Sequence, residues 1–262
     1  MHLRRIGVLG TALVSAFAIS CGGARTTGSG ATAAQASTAD GGVEAPPLPA
    51  RFKVHIAGDS TAAIFPPTDA TARVGWAAVF QQFFTDGVEV NDAARSGRSS
   101  KSFIDEGLWK ALAAQLHPGD YVFIQFGHND EKSADSSRYT DPKTSFRDHL
   151  KIYIRDTRVA GAMPVLLTPI SRCEFSGSSI VDTHGAYPAA IIAVGEETGT
   201  PVIDMTQKTR AMLESLGPSA TVPLFAADDK THLSAQGAPR VAKLVADGIR
   251  ELHLPLAERL VP

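Results

Sequence analysis

The sequence predicts an α/β fold, with one parallel sheet covered by helices on both faces. Three observations lead there. Five short apolar runs punctuate the chain from residue 52 onward. Amphipathic stretches with helical spacing lie between them. The central run, Tyr121-Val122-Phe123-Ile124-Gln125-Phe126, is apolar on both faces, as a strand between two helical layers must be. Such alternation implies right-handed βαβ units.

The first strand is Phe52-Lys53-Val54-His55-Ile56-Ala57, which ends in Gly58. The second is Val88-Glu89-Val90, and Tyr121–Phe126 is the third. Val165-Leu166-Leu167-Thr168 and Val202-Ile203-Asp204 are the fourth and fifth. Between them, Phe103, Leu108, Leu112 and Leu116 share one face and predict a helix ahead of His117-Pro118-Gly119. Phe146, Leu150, Tyr153 and Ile154 do the same, with Gly161 as the stop. Val241, Leu244, Val245, Ile249 and Leu252 form the stripe of a last helix. If Ser234 caps that helix, Pro239 falls past its first turn and removes a donor, so a later start or a bend is expected. Trp76 and Trp109 have apolar neighbours on helical faces and read as core.

Bulk properties narrow the function. The 262 residues carry 20 % charged side chains and a formal net charge of −2. Lys and Arg are scattered, so the chain lacks the basic field of a nucleic-acid binder. No period of solenoid length recurs. Only Cys21 and Cys173 are present, and Cys21 falls in the leader, so the folded part has no disulfide partner for Cys173, which reads as an inert buried thiol.

That leader begins Met1-His2-Leu3-Arg4-Arg5 and continues with an apolar run from Ile6 to Ile19. A basic start and a run of this length read as an export signal over residues 1–21. Ala18-Ile19-Ser20-Cys21 resembles a bacterial lipobox, which implies lipidation of Cys21, a membrane anchor, and a periplasmic or cell-surface location. Residues 22–50 are rich in Gly, Ala, Ser, Thr and Pro and read as a disordered tether. A catalytic domain is expected over residues 51–256.

In parallel sheets, sites form at the carboxyl ends of the strands. Gly58-Asp59-Ser60-Thr61 follows the first strand. Asn91 to Ser100, containing Gly97-Arg98-Ser99-Ser100, follows the second, and Gly127-His128-Asn129-Asp130 follows the third. Asp228-Asp229-Lys230-Thr231-His232 precedes the last helix. Each alone is a plausible turn or cap. Together they supply an acyl-transfer site. A serine hydroxyl needs a base, and a histidine held by a carboxylate is the usual one. The developing oxyanion needs donors, which the backbone of Ser60 and Gly97 and the Asn129 amide can provide.

This ordered set resembles the SGNH (GDSL-like) hydrolase superfamily, with Ser60, Gly97, Asn129 and His232 at the four named positions. The resemblance spans about Val54 to Ile249. It implies a flavodoxin-like three-layer α/β/α sandwich with a parallel five-stranded sheet, and Asp229, three residues before His232, as triad acid in preference to Asp228. The blocks around Ser60, Gly97 and Asn129, together with Pro164–Arg172 and Asp182–Pro188, are similar to rhamnogalacturonan acetylesterases. That narrower resemblance implies removal of acetyl groups from pectic or related polysaccharides.

Asp59, Arg98 and His128 are candidate substrate contacts, while His184 reads as part of a polar loop. A metal held by His128, Asp130, Asp229 and His232 is an alternative. No His-Glu-x-x-His or Cys/His cluster supports it, so no metal and no cofactor is expected. No obligate protein partner is implied. Two other functions compete: an SGNH lipase, thioesterase or acyltransferase, and a non-catalytic cell-surface glycan-binding protein. A complete triad weighs against the second, because binding alone does not need one.

Overall fold

A computed structural model describes residues 48–262. The expected export signal, Cys21 and the expected tether as far as residue 47 lie outside the described residues.

The strands are β1 (Phe52–Gly58), β2 (Val88–Asp92), β3 (Tyr121–Gln125), β4 (Met163–Leu167), β5 (Phe175–Ser176), β6 (Ser179–Ile180) and β7 (Val202–Ile203). Five form one sheet in the order β2-β1-β3-β4-β7. Every pairing in it is parallel. β5 and β6 make a separate antiparallel hairpin. The helices are α1 (Ser100–Asp105), α2 (Leu108–Ala113), α3 (Ser145–Val159), α4 (Tyr187–Thr198), α5 (Met205–Leu216), α6 (Pro218–Thr221) and α7 (Gly237–Glu251). A 3-10 helix covers Trp76–Phe83. The molecule is the expected three-layer α/β/α sandwich.

Strand alternation divides the core into two. Val54, Ile56, Phe123, Val165 and Leu167 face one layer, where they meet Trp76, Phe80, Val241, Val245 and Ile249. Ala57, Val122, Ile124 and Leu166 face the other, against Phe103, Trp109, Phe146, Leu150, Tyr153 and Ile191. Full burial of each such side chain stabilises the fold by about 1.5–3 kcal/mol. Both tryptophans are core residues with a satisfied indole: Trp76 donates to Gln125 Oε1 at 2.8 Å and Trp109 to Asp156 Oδ2 at 2.9 Å.

Two local details differ from expectation. The stretch from Phe103 to Leu116 is two short helices, because Gly107 adopts φ 76° and ends the first. α1 is opened by a reciprocal cap in which Ser99 Oγ accepts from Ser102 N at 3.1 Å and Ser102 Oγ accepts from Ser99 N at 2.9 Å. α7 begins at Gly237, so Pro239 lies inside the first turn. This is the later start expected: the N–H that Pro239 lacks has no intrahelical acceptor in a first turn, so no bend is needed. Cys173 is only partly buried and donates to Thr221 Oγ1 at 3.3 Å.

The two ends of the described chain meet at the amino edge of the sheet. Arg259 Nη2 donates to the Pro49 carbonyl at 3.1 Å, and Phe84 bridges to Leu260. Ala50 lies against Gly87, just before β2, and Pro49 against Gly119, just before β3.

Candidate active site

β1 delivers Ser60 to the carboxyl edge of the sheet. The chain turns there because Asp59 accepts from both the N–H and the hydroxyl of Thr61, at 2.9 and 2.8 Å, and its carbonyl accepts from Ala62 and Ala63. The loop between residues 225 and 233 delivers the other half, closed by a bridge between Phe225 and Leu233. Val74 N–H donates to the Leu233 carbonyl at 2.9 Å and ties that loop to the segment after Ser60.

The result is a continuous relay. Ser60 Oγ lies 2.9 Å from His232 Nε2, and His232 Nδ1 lies 2.6 Å from Asp229 Oδ2. Asp229 Oδ1 accepts from the N–H groups of Thr231 and His232 at 2.6 and 3.0 Å. Burial raises the Asp229 carboxyl, but these backbone bonds and the His232 ring outweigh it and hold it below its ordinary value. A carboxylate so held keeps the histidine proton on Nδ1 and leaves Nε2 to accept from the serine. The His232 ring is steadied by Phe65, edge-on at 6.3 Å, and Arg73 stacks over Phe65 at 4.5 Å.

Three candidate oxyanion donors stand on the loops after β1, β2 and β3. Among the described residues, the backbone N–H groups of Ser60 and Gly97 are spent on no protein acceptor. Gly97 adopts φ 80°, and a Cβ there would meet nothing within 4 Å. The Asn129 amide donates one hydrogen to the Arg98 carbonyl at 3.0 Å. Its oxygen accepts from Lys132 Nζ at 3.1 Å and Arg138 Nη1 at 3.3 Å. Asp130, fully buried, accepts from Ser100 N–H and Oγ, Thr140 Oγ1 and Gly127 N–H. It thereby fastens the Gly97 loop to the Asn129 loop, although burial pushes its carboxyl up to about 7.

Of the three candidate substrate contacts, the structure turns two inward. Asp59 is sealed from solvent; burial raises its carboxyl, and Oδ2 has no protein partner among the described residues. His128 is also enclosed, with both ring nitrogens out of solvent and unpartnered, and burial drives its pKa well below the ordinary value. Arg98 does stand at the surface. It pairs with Glu106 at 2.9 Å and lines a groove of about 450 Å³ together with Gly97, Lys101, Ser102, Asp105, Glu106, Ser137 and Arg138. Three of the four residues of the alternative metal site have other partners: Asp130 is tied to Ser100, and Asp229 and His232 to each other.

One part of the site has no sequence motif. His184 lies in the polar loop ahead of α4, as expected, but its ring is buried. Its ring contacts Glu131 Oε2 and the Ile170 carbonyl, each at 2.9 Å, and packs at 87° against the His128 ring. Glu131 also pairs with Arg172, whose Nε reaches Thr231 Oγ1 at 3.3 Å. This network links the Asn129 loop to the Asp229–His232 loop. Its members are far apart in sequence, so only the folded chain reveals them.

The sequence profile of the GDSL-like Lipase/Acylhydrolase family matches residues 56–239. Rhamnogalacturonan acetylesterase RhgT of Bacillus subtilis strain 168 is 40 % identical over 224 residues, covering 80 % of this chain and 94 % of that protein. A rhamnogalacturonan acetylesterase of Emericella nidulans is 27 % identical, covering 72 % of this chain and 81 % of that protein. The crystal structure of protein YxiM of Bacillus subtilis superposes with a TM-score of 0.72 at 26 % identity, over 79 % of this chain and 58 % of that one. Axe2, an acetylxylan esterase of Geobacillus stearothermophilus, shares the fold at a TM-score of 0.58 and 19 % identity, over 76 % of this chain and 94 % of that one. The chain belongs to the GDSL-like lipase/acylhydrolase family and is a carboxylic ester hydrolase.

Proposed function

We propose that this protein is a serine esterase that removes O-acetyl groups from plant-type polysaccharides, rhamnogalacturonan or a related acetylated glycan. The observation that carries the reading is the relay of 2.9 and 2.6 Å from Ser60 through His232 to Asp229. Ser60 Oγ attacks the acetyl carbonyl while His232 Nε2 takes its proton. The carbonyl oxygen becomes an oxyanion and is held by the N–H groups of Ser60 and Gly97 and by the Asn129 amide. The C–O bond to the sugar then breaks, and His232 returns the proton to the departing hydroxyl. Water attacks the acetyl-enzyme with His232 again as base, releasing acetate and restoring Ser60.

The groove beside Gly97 supports a carbohydrate substrate. Its lining of hydroxyl, guanidinium, ammonium and carboxylate groups suits sugar hydroxyls better than a long acyl chain. The names of the relatives from Bacillus subtilis and Emericella nidulans point to the same acyl group and to a pectic polymer. Acetate release should be measured from acetylated pectin, xylan and mannan fragments, with Ser60→Ala as control. Release by the wild type and none by the variant is expected. Retained release by a folded Ser60→Ala protein would remove Ser60 from the mechanism.

The leader supports export, and Ser20-Cys21 within its lipobox-like stretch supports a lipid anchor at the membrane or cell surface. The domain is read as extending over residues 51–256 behind a tether. Metabolic labelling with a fatty acid tests the anchor. Label incorporation that survives Cys21→Ala would disprove it.

A further inference from the structure

Asn129 must present its NH2 group, not its carbonyl, to an oxyanion. An amide side chain is nearly symmetric in shape, so something has to choose between the two orientations. The surroundings of Asn129 make that choice. On one side lies the Arg98 carbonyl at 3.0 Å, which only accepts. On the other lie Lys132 Nζ and Arg138 Nη1, at 3.1 and 3.3 Å, which only donate. A flipped amide would set N–H against two cations and oxygen against oxygen.

We propose that Lys132 and Arg138 are positioning residues for catalysis: together they lock the Asn129 amide with its free N–H toward the oxyanion pocket and polarise that N–H into a stronger donor. The proposal rests on the esterase reading, since it assigns Asn129 to the oxyanion.

The local fold supports both contacts. Lys132 follows Asn129 by one helical turn, with Lys132 N–H donating to the Asn129 carbonyl at 3.3 Å. Arg138 comes back to the same place because Thr140 N–H donates to the Asp130 carbonyl at 3.1 Å and closes the loop. Asp135 Oδ2 accepts from Arg138 Nε at 2.6 Å and aims the guanidinium, leaving Nη1 for Asn129. The Lys132 ammonium is partly desolvated and feels Arg138 and Arg172 as like charges; burial first and then these cations lower its pKa. An ammonium held against that cost has its compensation in the Asn129 oxygen and in nearby carboxylates. Charge at the oxygen end of an amide draws density from its N–H end, and hydrogen bonds in such chains strengthen one another.

The test is a double-mutant cycle between Asn129→Ala and Lys132→Met or Arg138→Met, read as kcat and KM on 4-nitrophenyl acetate. Loss of a whole oxyanion donor costs about 10²–10³-fold in kcat. Each single cation variant is expected to lose about tenfold in kcat with KM within about twofold, as removal of a transition-state interaction requires. In the Asn129→Ala background the same substitutions should change kcat by less than about twofold, because the group they act through is gone. Arg138→Lys and Lys132→Arg should restore most of the rate. A cation effect of equal size with and without Asn129 would show a direct field on the oxyanion, or a general structural role, and would overturn the proposal.

A second readout does not depend on turnover. The side-chain NH2 resonances of Asn129 should shift and broaden in Lys132→Met and move little in Lys132→Arg. Unmoved resonances in Lys132→Met would refute the lock. A wild type that hydrolyses no ester would sink the esterase reading, while the resonances still decide whether the cations hold the amide.

Discussion

Replacing Asp229 by Asn keeps the shape of the triad and reverses its logic. Asp229 Oδ1 accepts from two backbone N–H groups, at 2.6 and 3.0 Å. Those donors cannot move without unfolding the loop. The amide oxygen of Asn must therefore take the Oδ1 place, because an NH2 there would face two N–H groups. The NH2 is then forced to the Oδ2 place, 2.6 Å from His232 Nδ1 in the native relay. Nδ1 can only accept from it, so the imidazole proton moves to Nε2 and confronts the Ser60 hydroxyl. The serine loses its base although no atom has shifted far. A wrong tautomer of this kind lowers kcat by about 10⁴ in the general triad case, and we expect about 10³–10⁴ here, or about 4–5.5 kcal/mol in the barrier at about 1.36 kcal/mol per decade. Stability should change little, since both backbone bonds persist. The assay is kcat/KM on 4-nitrophenyl acetate beside a thermal melt. A folded Asp229→Asn enzyme within about tenfold of wild type would refute the tautomer argument.

Other outcomes follow from the same geometry. Gly97→Ala adds a methyl group to open space but places Ala at φ 80°, so a cost of about 1–2 kcal/mol and a drop in kcat are expected, measured by urea melts and steady-state kinetics. An unchanged kcat would mean that the added strain at φ 80° does not move the Gly97 N–H. Asp92 is mostly buried, and burial pushes its carboxyl up to about 7. The folded state thus holds a proton that the unfolded chain releases near pH 4, and Asp92 contributes a loss of stability as pH rises from about 4 to 7. Urea melts across that window should show a shallower fall for Asp92→Asn, and an identical slope would count against the assignment. Trp76→Phe removes the 2.8 Å bond to Gln125 Oε1 in a fully buried setting and should destabilise by about 1–3 kcal/mol in thermal melts.

The sequence exposes features that short-range rules govern. Tyr121–Gln125 was legible as a strand because burial on both faces demands an unbroken apolar run. Ser60, Gly97, Asn129 and the Asp229–His232 pair were legible because each follows a recognisable element and carries a residue type with one obvious chemical use. The missed features depend on partners far away in sequence. Glu131, Arg172 and His184 are ordinary polar residues until the chain brings them together around His128. Asp59 and His128 flank reactive residues in sequence, but that their side chains are buried depends on how the turns after β1 and β3 pack, which no local pattern encodes. The break at Gly107 was hidden because an apolar face can continue across two helices as easily as along one.

The meeting of both chain ends at the amino edge of the sheet gives the domain a front and a back. β1 runs from that edge toward Ser60, and its seven residues at about 3.3 Å each set the two sides about 23 Å apart. Leu48 and Pro262 both lie on the side away from Ser60. An immobilised enzyme would then present its serine outward, to a polymer too large to diffuse in behind it. Fusions at either terminus should leave turnover of long chains intact, whereas a bulky insertion in the Pro66–Arg73 loop beside His232 would obstruct the front.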